Sequence, residues 1–397
     1  MLEPEIARED LETWAGFLLD HSLGGITPED RVMIKGERIG WPLMEVLERR
    51  VIEAGAVPDV LLVPPNNERG RVWSAAMARW GTPEQLERVP AWHRARYESM
   101  TKYVEVLGAE DPAAYMGLGP EQVQALAAAD RPFSDLRLAR PWVITLYPTP
   151  AAAEMEGMDF NEYTRFIVGA STTDPAPLRE AEEALKPLFD GGRRVEIVTG
   201  HPDGRELVLE MGITEGHGVM SYGLRNFPDG EVFTSPDANT VEGEIFVDLP
   251  VNYGGHDIRG IHLRFEGGRI VEYSAEVGHE HLAAIVETDD GSHRLGEVAL
   301  GMNPGLDRVL KHPLFVEKVG GTLHIAIGAS YEDCFVDDPS SPEGRERIEE
   351  LERRGVLNRS AQHVDIVTDF RPGGAGRSVH IDGTRLVPRD GLWVVEA

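Results

Sequence analysis

The residues of this chain that are best suited to chemistry are imidazoles and carboxylates in its C-terminal half. His363 and Asp365 lie in a strand-like run over residues 362–368. Side chains two residues apart on a strand point to the same face of a sheet, so this pair can converge on one ion. His324 lies in an apolar run over residues 321–328, where an imidazole ring needs a polar partner. Such patterns are typical either of metal ligands or of buried hydrogen-bonded pairs.

Two glutamates stand beside further apolar runs. Glu297 follows Leu-Gly at the start of one run, and Glu231 follows a Pro-Asp-Gly turn. Taken singly, each is more typical of a solvated side chain than of a metal ligand. Taken together, two imidazoles and three carboxylates favour zinc, cobalt, manganese or iron over calcium. Because one of three carboxylates can bridge, the set is also compatible with two metal ions.

Common catalytic motifs are missing from the sequence. It contains no glycine-rich phosphate loop ending in Lys-Ser or Lys-Thr, no Gly-x-Gly-x-x-Gly after the first predicted strand, and no Gly-x-Ser-x-Gly turn. The candidate ligands are therefore the main indication of chemistry.

The elements that must position these ligands fall into two halves. In the first half, a strand over 31–35, a helix over 41–54 and a strand over 58–63 predict a β-α-β unit and a parallel sheet. A further strand is predicted over 141–146, and residues 66–135 are predicted to be mostly helical. Helices are also predicted over 159–170 and 177–189.

The pattern changes near residue 190 to apolar–polar alternation with glycine-rich turns, which predicts an antiparallel sheet. We therefore expect an α/β N-terminal domain over residues 1–190. An α+β, largely antiparallel-sheet metal-binding domain is expected over 191–397. Residues 332–354 are interpreted as an insertion whose charged helix, 343–354, is a solvated surface feature. The strands predicted in this half span 193–199, 205–211, 243–249, 257–265 and 269–275.

The composition narrows the range of partners. The chain has 397 residues, with 68 acidic against 39 basic side chains and a formal net charge of −29. That charge disfavours nucleic acids and anionic membranes as partners. The single cysteine, Cys334, excludes an internal disulfide, and neither a signal peptide nor a membrane-spanning run is recognisable. We expect a soluble, cytoplasmic protein.

Longer motifs surround the candidate ligands. They include Leu295-Gly-Glu297, His363-Val-Asp365 and Asp382-Gly383, with Tyr147-Pro-Thr149 in the first half. With these motifs the chain resembles the aminopeptidase T/aminopeptidase S family of metallopeptidases, most clearly over residues 141–385. The longest of them read Asn-Phe-Pro-Asp-Gly-Glu-Val-Phe-Thr-Ser-Pro over 226–236 and Glu-Lys-Val-Gly-Gly-Thr-Leu-His-Ile-Ala-Ile-Gly over 317–328.

The resemblance implies a metal-dependent aminopeptidase that removes N-terminal residues from peptides and uses two divalent ions (zinc, cobalt, manganese or magnesium). It also implies a homodimer with an enclosed cavity. In this interpretation Glu231 and Asp365 mainly hold one metal, and His324 and His363 the other. Glu297 bridges the ions or acts as a general base. Tyr331 ligates weakly or donates to an oxyanion. The ligand set that matches the family motifs is Glu231, Glu297, His324, Tyr331, His363 and Asp365.

Two other functions stay open at this stage. A ring-cleaving dioxygenase of the dihydroxypyridine type would hold one Fe(II) through His324, His363 and Asp365, a two-histidine, one-carboxylate set. The additional Glu231 and Glu297 favour two metals instead. A non-catalytic binding protein would be expected to have lost ligands, and none is lost. The Trp-rich segment 66–135 and the insertion leave open whether the substrate is a peptide or a small molecule.

Overall fold

The computed structural model describes residues 3–63, 72–108, 110–111, 118–253, 256–371 and 376–396. The chain forms two compact units, of which the first comprises Met1–Thr173 and Gly223–Pro228. The second comprises Asp174–Tyr222 and Asp229–Ala397. All six candidate ligands therefore belong to the second unit.

The secondary structure mixes helices and strands in both units. The strands are β1 (Arg31–Glu37), β2 (Val57–Val63), β3 (Lys102–Leu107), β4 (Trp142–Leu146), β5 (Arg194–Gly200), β6 (Glu206–Gly212), β7 (Val219–Ser221), β8 (Asn226–Phe227), β9 (Glu231–Thr234), β10 (Glu242–Val247), β11 (Val251–Tyr253), β12 (His256–Glu266), β13 (Arg269–Val277), β14 (Leu295–Gly301), β15 (Thr322–Gly328), β16 (His363–Asp369), β17 (Ser378–Ile381), β18 (Thr384–Arg389) and β19 (Leu392–Val395). The helices are α1 (Arg8–Gly16), α2 (Trp41–Glu53), α3 (Ala75–Trp80), α4 (Pro83–Leu86), α5 (Ala91–Ser99), α6 (Pro120–Leu138), α7 (Pro150–Glu156), α8 (Phe160–Thr172), α9 (Ala176–Gly191), α10 (His279–Val286), α11 (Pro313–Val316) and α12 (Pro342–Arg353).

The first unit contains the predicted parallel sheet. Its strand order is β2-β1-β3-β4-β8, and neighbouring strands run parallel throughout. Helix α2 connects β1 to β2 and buries Leu43, Val46, Leu47 and Val51 at helical spacing. The β-α-β prediction is confirmed.

The prediction of a mostly helical segment over 66–135 is wrong at β3, which is a central strand of the parallel sheet. Glu105 on β3 lies directly opposite Lys35 on β1, with Lys35 Nζ 3.1 Å from Glu105 Oε1, and both side chains are buried. Each of these charges interrupts an apolar run in the sequence. The sequence of either strand alone does not reveal that Lys35 and Glu105 neutralise one another across the sheet. Residues 66–71, 109 and 112–117 of this segment lie outside the described residues.

The second unit contains two antiparallel sheets in the part of the chain that the structure describes, as the period-two alternation predicts. The larger has the order β11-β12-β10-β6-β5-β17-β18-β19, with β13 paired to β12. The smaller has the order β16-β15-β14-β9-β7 and carries the candidate ligands. We call it the ligand sheet.

The second unit begins at Asp174, whereas the change of sequence pattern predicts a boundary near residue 190. The difference concerns helix α9. Its buried residues Leu178, Leu185 and Phe189 belong to the core that also contains the strands of the second unit. A helix that buries its apolar face in one core belongs with that core, although its pattern resembles that of the helices before it.

The helix predicted in the insertion 332–354 is α12, but it is not wholly solvated. On its charged side, Arg347 Nη2 lies 2.6 Å from Glu215 Oε2, which ties the helix to the rest of the second unit. Ile348 and Leu351 pack in an apolar cluster whose other buried members are Cys334, Phe335, Val356 and Leu357. No helix among the described residues is both long and apolar enough to cross a membrane.

One face of the ligand sheet closes the hydrophobic core of the second unit. Val298, Ile325 and Ile366 lie side by side on β14, β15 and β16, and all three are buried in that core. Because side chains alternate along a strand, the residues between them point to the opposite face. The core therefore fixes the orientation of the ligand face.

Replacing Ile325 by alanine should destabilise the second unit. The side chain is fully buried, so its truncation is expected to cost about 2–5 kcal/mol of the free energy of unfolding. Urea-induced unfolding measures this cost. Val271→Ala is the matched control, because Val271 is 46% exposed on β13, and we expect it to cost less than about 1 kcal/mol. Equal costs for the two variants would contradict the proposed core position.

Candidate metal centre

The register of the ligand sheet brings the candidate ligands together. Glu297 on β14 and Asp365 on β16 both lie opposite Ala326 of β15. His324 precedes Ala326 by two residues and His363 precedes Asp365 by two, so these four ligands share a face. The fifth, Glu231, begins β9 and pairs with Gly301 at the other end of β14.

Glu297 lies between the two imidazoles. Its Oε1 is 3.5 Å from His324 Nε2, and its Oε2 is 3.0 Å from His363 Nε2. His324 Nε2 is also 3.5 Å from Glu231 Oε2, and His363 Nε2 is 3.5 Å from Asp365 Oδ1. Each imidazole thus faces two carboxylates, one of which is shared.

These contacts form candidate ligand groups whose ligand atoms lie within 4.8 Å of one another. One group contains Glu231, Glu297 and His324, and a second contains Glu297, His363 and Asp365. This grouping differs from the expectation that Glu231 pairs with Asp365 and His324 with His363. The strands explain the difference. Strand β9 brings Glu231 beside His324, and β16 carries both His363 and Asp365.

The hydrogen bonding of the cluster fits a bound cation. The buried atoms Glu231 Oε2 and Asp365 Oδ1 have no hydrogen-bond partner among the described residues, and leaving a buried polar atom unsatisfied costs free energy. His363 Nδ1 lies 2.8 Å from the Ala329 carbonyl oxygen, which can only accept, so Nδ1 donates. Nε2 is then the ring nitrogen that faces the carboxylates, and in its deprotonated form it can ligate a cation, as in metal-binding histidines. A divalent cation would satisfy these atoms.

The electrostatics of the cluster favour positive charge. Burial alone would lower the pKa of His363, but its interactions with Asp365 and Glu297 raise the pKa to about 11. Burial is likewise outweighed at His324, whose pKa rises to about 9 through Glu297 and Glu231. Burial would raise the pKa of Glu297, yet the two imidazoles hold it below its usual value. Without a cation, both imidazoles are therefore doubly protonated and positively charged at neutral pH.

Tyr331 lies at the edge of this cluster, three residues after β15. Its ring centroid is 4.5 Å from that of His363 and 5.6 Å from that of Phe233. The residue is 43% exposed. Burial of its remaining part, together with the charges of Glu297 and Asp365, raises the pKa of Tyr331 far above its usual value. The hydroxyl group therefore stays protonated and can donate a hydrogen bond.

Sequence reasoning missed several ionisable side chains beside the ligands that are buried or half-buried. Lys318 and Glu317 lie between α11 and β15, and Glu317 forms a third candidate group with His324 and Asp365. The signal in the sequence is a charged dipeptide between two apolar segments. Glu182 is fully buried on α9.

Glu182 also has a signal in the sequence. It lies four residues after Leu178 and three before Leu185, on the apolar face of α9. An acid at such a position must be buried with the rest of that face. Burial, together with repulsion from Asp229 and Glu231, raises the pKa of Glu182 to about 10, so the side chain is uncharged at neutral pH.

Comparisons with known proteins place this geometry in context. The family described as thermophilic metalloprotease (M29) matches residues 7–383. Aminopeptidase T from Thermus aquaticus is 32% identical over 351 residues, which cover 78% of this chain and 81% of that protein. Aminopeptidase PepS from Streptococcus thermophilus is 26% identical over 425 residues, which cover 98% of each chain.

Two solved structures are similar over nearly the whole chain. Wild-type AmpT from Thermus thermophilus has a TM-score of 0.74 and 26% identity, covering 98% of this chain and 100% of that one. The 2,5-dihydroxypyridine dioxygenase from Pseudomonas putida KT2440 has a TM-score of 0.57 and 14% identity, covering 98% of each chain. At that identity the second likeness concerns the fold alone.

Proposed function

Because this chain belongs to the thermophilic metalloprotease family M29, we propose that it is an aminopeptidase whose ligand sheet holds two divalent cations. The observation that carries the two-cation proposal is the position of Glu297, which belongs to two ligand groups and turns one oxygen to each imidazole. A carboxylate in that position is suited to bridge two ions.

When bound, a pair of cations such as zinc, cobalt, manganese or magnesium supplies Lewis acidity that activates water and polarises the scissile carbonyl. Glu231 and His324 would hold one ion, and His363 and Asp365 the other. Glu297 would link the two positions or accept the proton of the attacking water. The protonated hydroxyl of Tyr331 would donate to the oxyanion that develops on the carbonyl. The substrate in this proposal is a peptide with a free N-terminus.

The mononuclear iron alternative requires His324 and His363 on the same ion. Within the described ranges, no candidate ligand group contains both histidines. His324 instead contacts Glu231, His363 contacts Asp365, and both imidazoles contact Glu297. This arrangement favours two cations over one.

Metal content and substrate range together test the proposed function. We expect two zinc, cobalt, manganese or magnesium ions per chain, with hydrolysis of aminoacyl p-nitroanilides and none of their N-acetylated forms. One iron per chain with oxygen consumption on a dihydroxypyridine would overturn the proposal. The homodimer implied by the family resemblance and the cytoplasmic location stay predictions.

Binding of cations should release protons. At pH 7 the imidazoles of His324 and His363 each carry a second ring proton and a positive charge, because their pKa values are about 9 and about 11. Metal ligation requires neutral imidazole, so cation binding is expected to release about two protons, and affinity should rise with pH up to the range of those pKa values. Calorimetric titration with Zn²⁺ in two buffers of different ionisation enthalpy measures the number released. Release of none would contradict ligation by the histidines.

A further inference from the structure

Lys318 is a buried cation at the back of the ligand cluster. Its side chain is 3% exposed, and its backbone is fixed on both sides. The Lys318 N–H donates to the Phe315 carbonyl, and the Lys318 carbonyl accepts from the N–H of Asn303, each at 3.0 Å. The Lys318 side chain therefore extends from a backbone position, between α11 and β15, that hydrogen bonds hold in place.

Three carboxylates surround this ammonium group. Lys318 donates a hydrogen bond to Oε1 of Glu231. Its Nζ is 3.0 Å from Glu317 Oε1 and 3.7 Å from Asp229 Oδ1. An ammonium group has three donors, and it faces one oxygen of each carboxylate.

We propose that Lys318 is a positioning residue for the metal ligands, an inference that rests on the ligand set of the proposed function. By holding Oε1 of Glu231, it fixes the rotation of that carboxylate. The other oxygen, Oε2, then faces His324 Nε2 at 3.5 Å, is buried and has no hydrogen-bond partner among the described residues. One oxygen of Glu231 is thus presented to the cation site and the other is occupied.

The same ammonium group also orients a carboxylate of a different ligand group. Glu317 belongs with His324 and Asp365, whereas Glu231 belongs with His324 and Glu297. Lys318 therefore links two groups that meet at His324. Without it, the carboxylates would be free to rotate and to bind a cation through both oxygens, which would change the coordination geometry.

A purely structural role for Lys318 makes a different prediction. A buried ion pair that only supports the fold would lower the thermal stability when broken, and the coordination of the cation would not change. The spectrum of bound Co²⁺ distinguishes the two roles, because its visible bands report the number and arrangement of ligands and not the stability of the protein.

The experiment compares Lys318→Met, Lys318→Arg and the control Lys35→Met by Co²⁺ absorption and by calorimetric Co²⁺ titration of the full chain. Lys35 is also a buried lysine paired with a carboxylate, Glu105, but it belongs to the first unit, so K35M should keep the wild-type spectrum and affinity even if it lowers the stability. We expect K318M to shift the spectrum and to weaken Co²⁺ binding about 10–100-fold.

K318R keeps the charge but carries a planar fork of donors in place of a compact ammonium group. It should fold and show a smaller change in the same direction, and it decides the question where K318M does not fold. Wild-type spectra and affinities in K318R, or in a folded K318M, would overturn the positioning role. Wild-type protein that binds no Co²⁺ would instead overturn the proposed function.

Discussion

Replacing Glu297 by glutamine is expected to lower kcat for peptide hydrolysis by about 10²–10⁴-fold, the range that a positioned general base or an equivalent charge contributes. Glu297 is buried and contacts both imidazoles through separate oxygens. The amide of glutamine has the same shape, and its oxygen can still accept one hydrogen bond. Glutamine is uncharged, however, and it has an acceptor oxygen for only one of the two imidazoles, because its other terminal atom is a donor nitrogen.

The fold of the E297Q variant should be retained, because the opposite face of the ligand sheet keeps its apolar core. Glu280→Gln is the matched control, since Glu280 is a 77% exposed side chain at the start of α10 in the same unit. We expect it to keep wild-type kcat. Turnover by E297Q within tenfold of wild type would refute the role of Glu297.

The metal content of E297Q separates the two roles proposed for this residue. If Glu297 bridges the cations, the variant should lose one or both of them, which elemental analysis of the dialysed protein would show. If Glu297 acts only as a general base, the variant should keep both cations and show the same loss of turnover. The geometry favours the bridge, because both oxygens of Glu297 are already directed at imidazoles.

The local part of this site could be predicted from the sequence, because strand alternation is a local property. Apolar–polar alternation is enough to place His363 and Asp365 on one face. The grouping of ligands could not be predicted, since it depends on which residue of β14 lies opposite which residue of β15. Register between strands distant in sequence is fixed by core packing and not by either strand alone.

The buried charges escaped prediction for a related reason. Lys35 and Glu105 each look like an interruption of an apolar strand until the strands are paired. Lys318 looks like a surface residue until Asp229, Glu231 and Glu317 are placed around it. Lys35 and Glu105 lie far apart in the chain, and of the three partners of Lys318 only Glu317 is its neighbour in sequence. A charged residue inside an apolar segment thus indicates that an oppositely charged partner exists, but it does not indicate which residue that partner is.

Removing the cations with a chelator is expected to abolish hydrolysis and to lower the midpoint of thermal unfolding of the second unit. A ligand present at 100 times its Kd stabilises the folded state by about 2.7 kcal/mol. For a unit of this size each kcal/mol corresponds to about 2–4 °C, so we expect a fall of about 5–10 °C for each cation that the chelator removes. Differential scanning calorimetry and a p-nitroanilide assay measure the two effects, and both should be reversed by adding back Zn²⁺ or Co²⁺.

The fall in unfolding temperature should also depend on pH, because protons replace the cations on the histidines. His324 and His363 have pKa values of about 9 and about 11 in the folded chain, against 6.5 ordinarily. A raised pKa stabilises the folded, metal-free chain fully below about 6.5, and that stabilisation is lost as the pH rises through 9 and 11. The chelator should therefore lower the unfolding temperature more at pH 9 than at pH 6. An equal fall at both pH values would contradict proton–metal exchange at the histidines, and unchanged activity in the chelator would contradict a metal-dependent reaction.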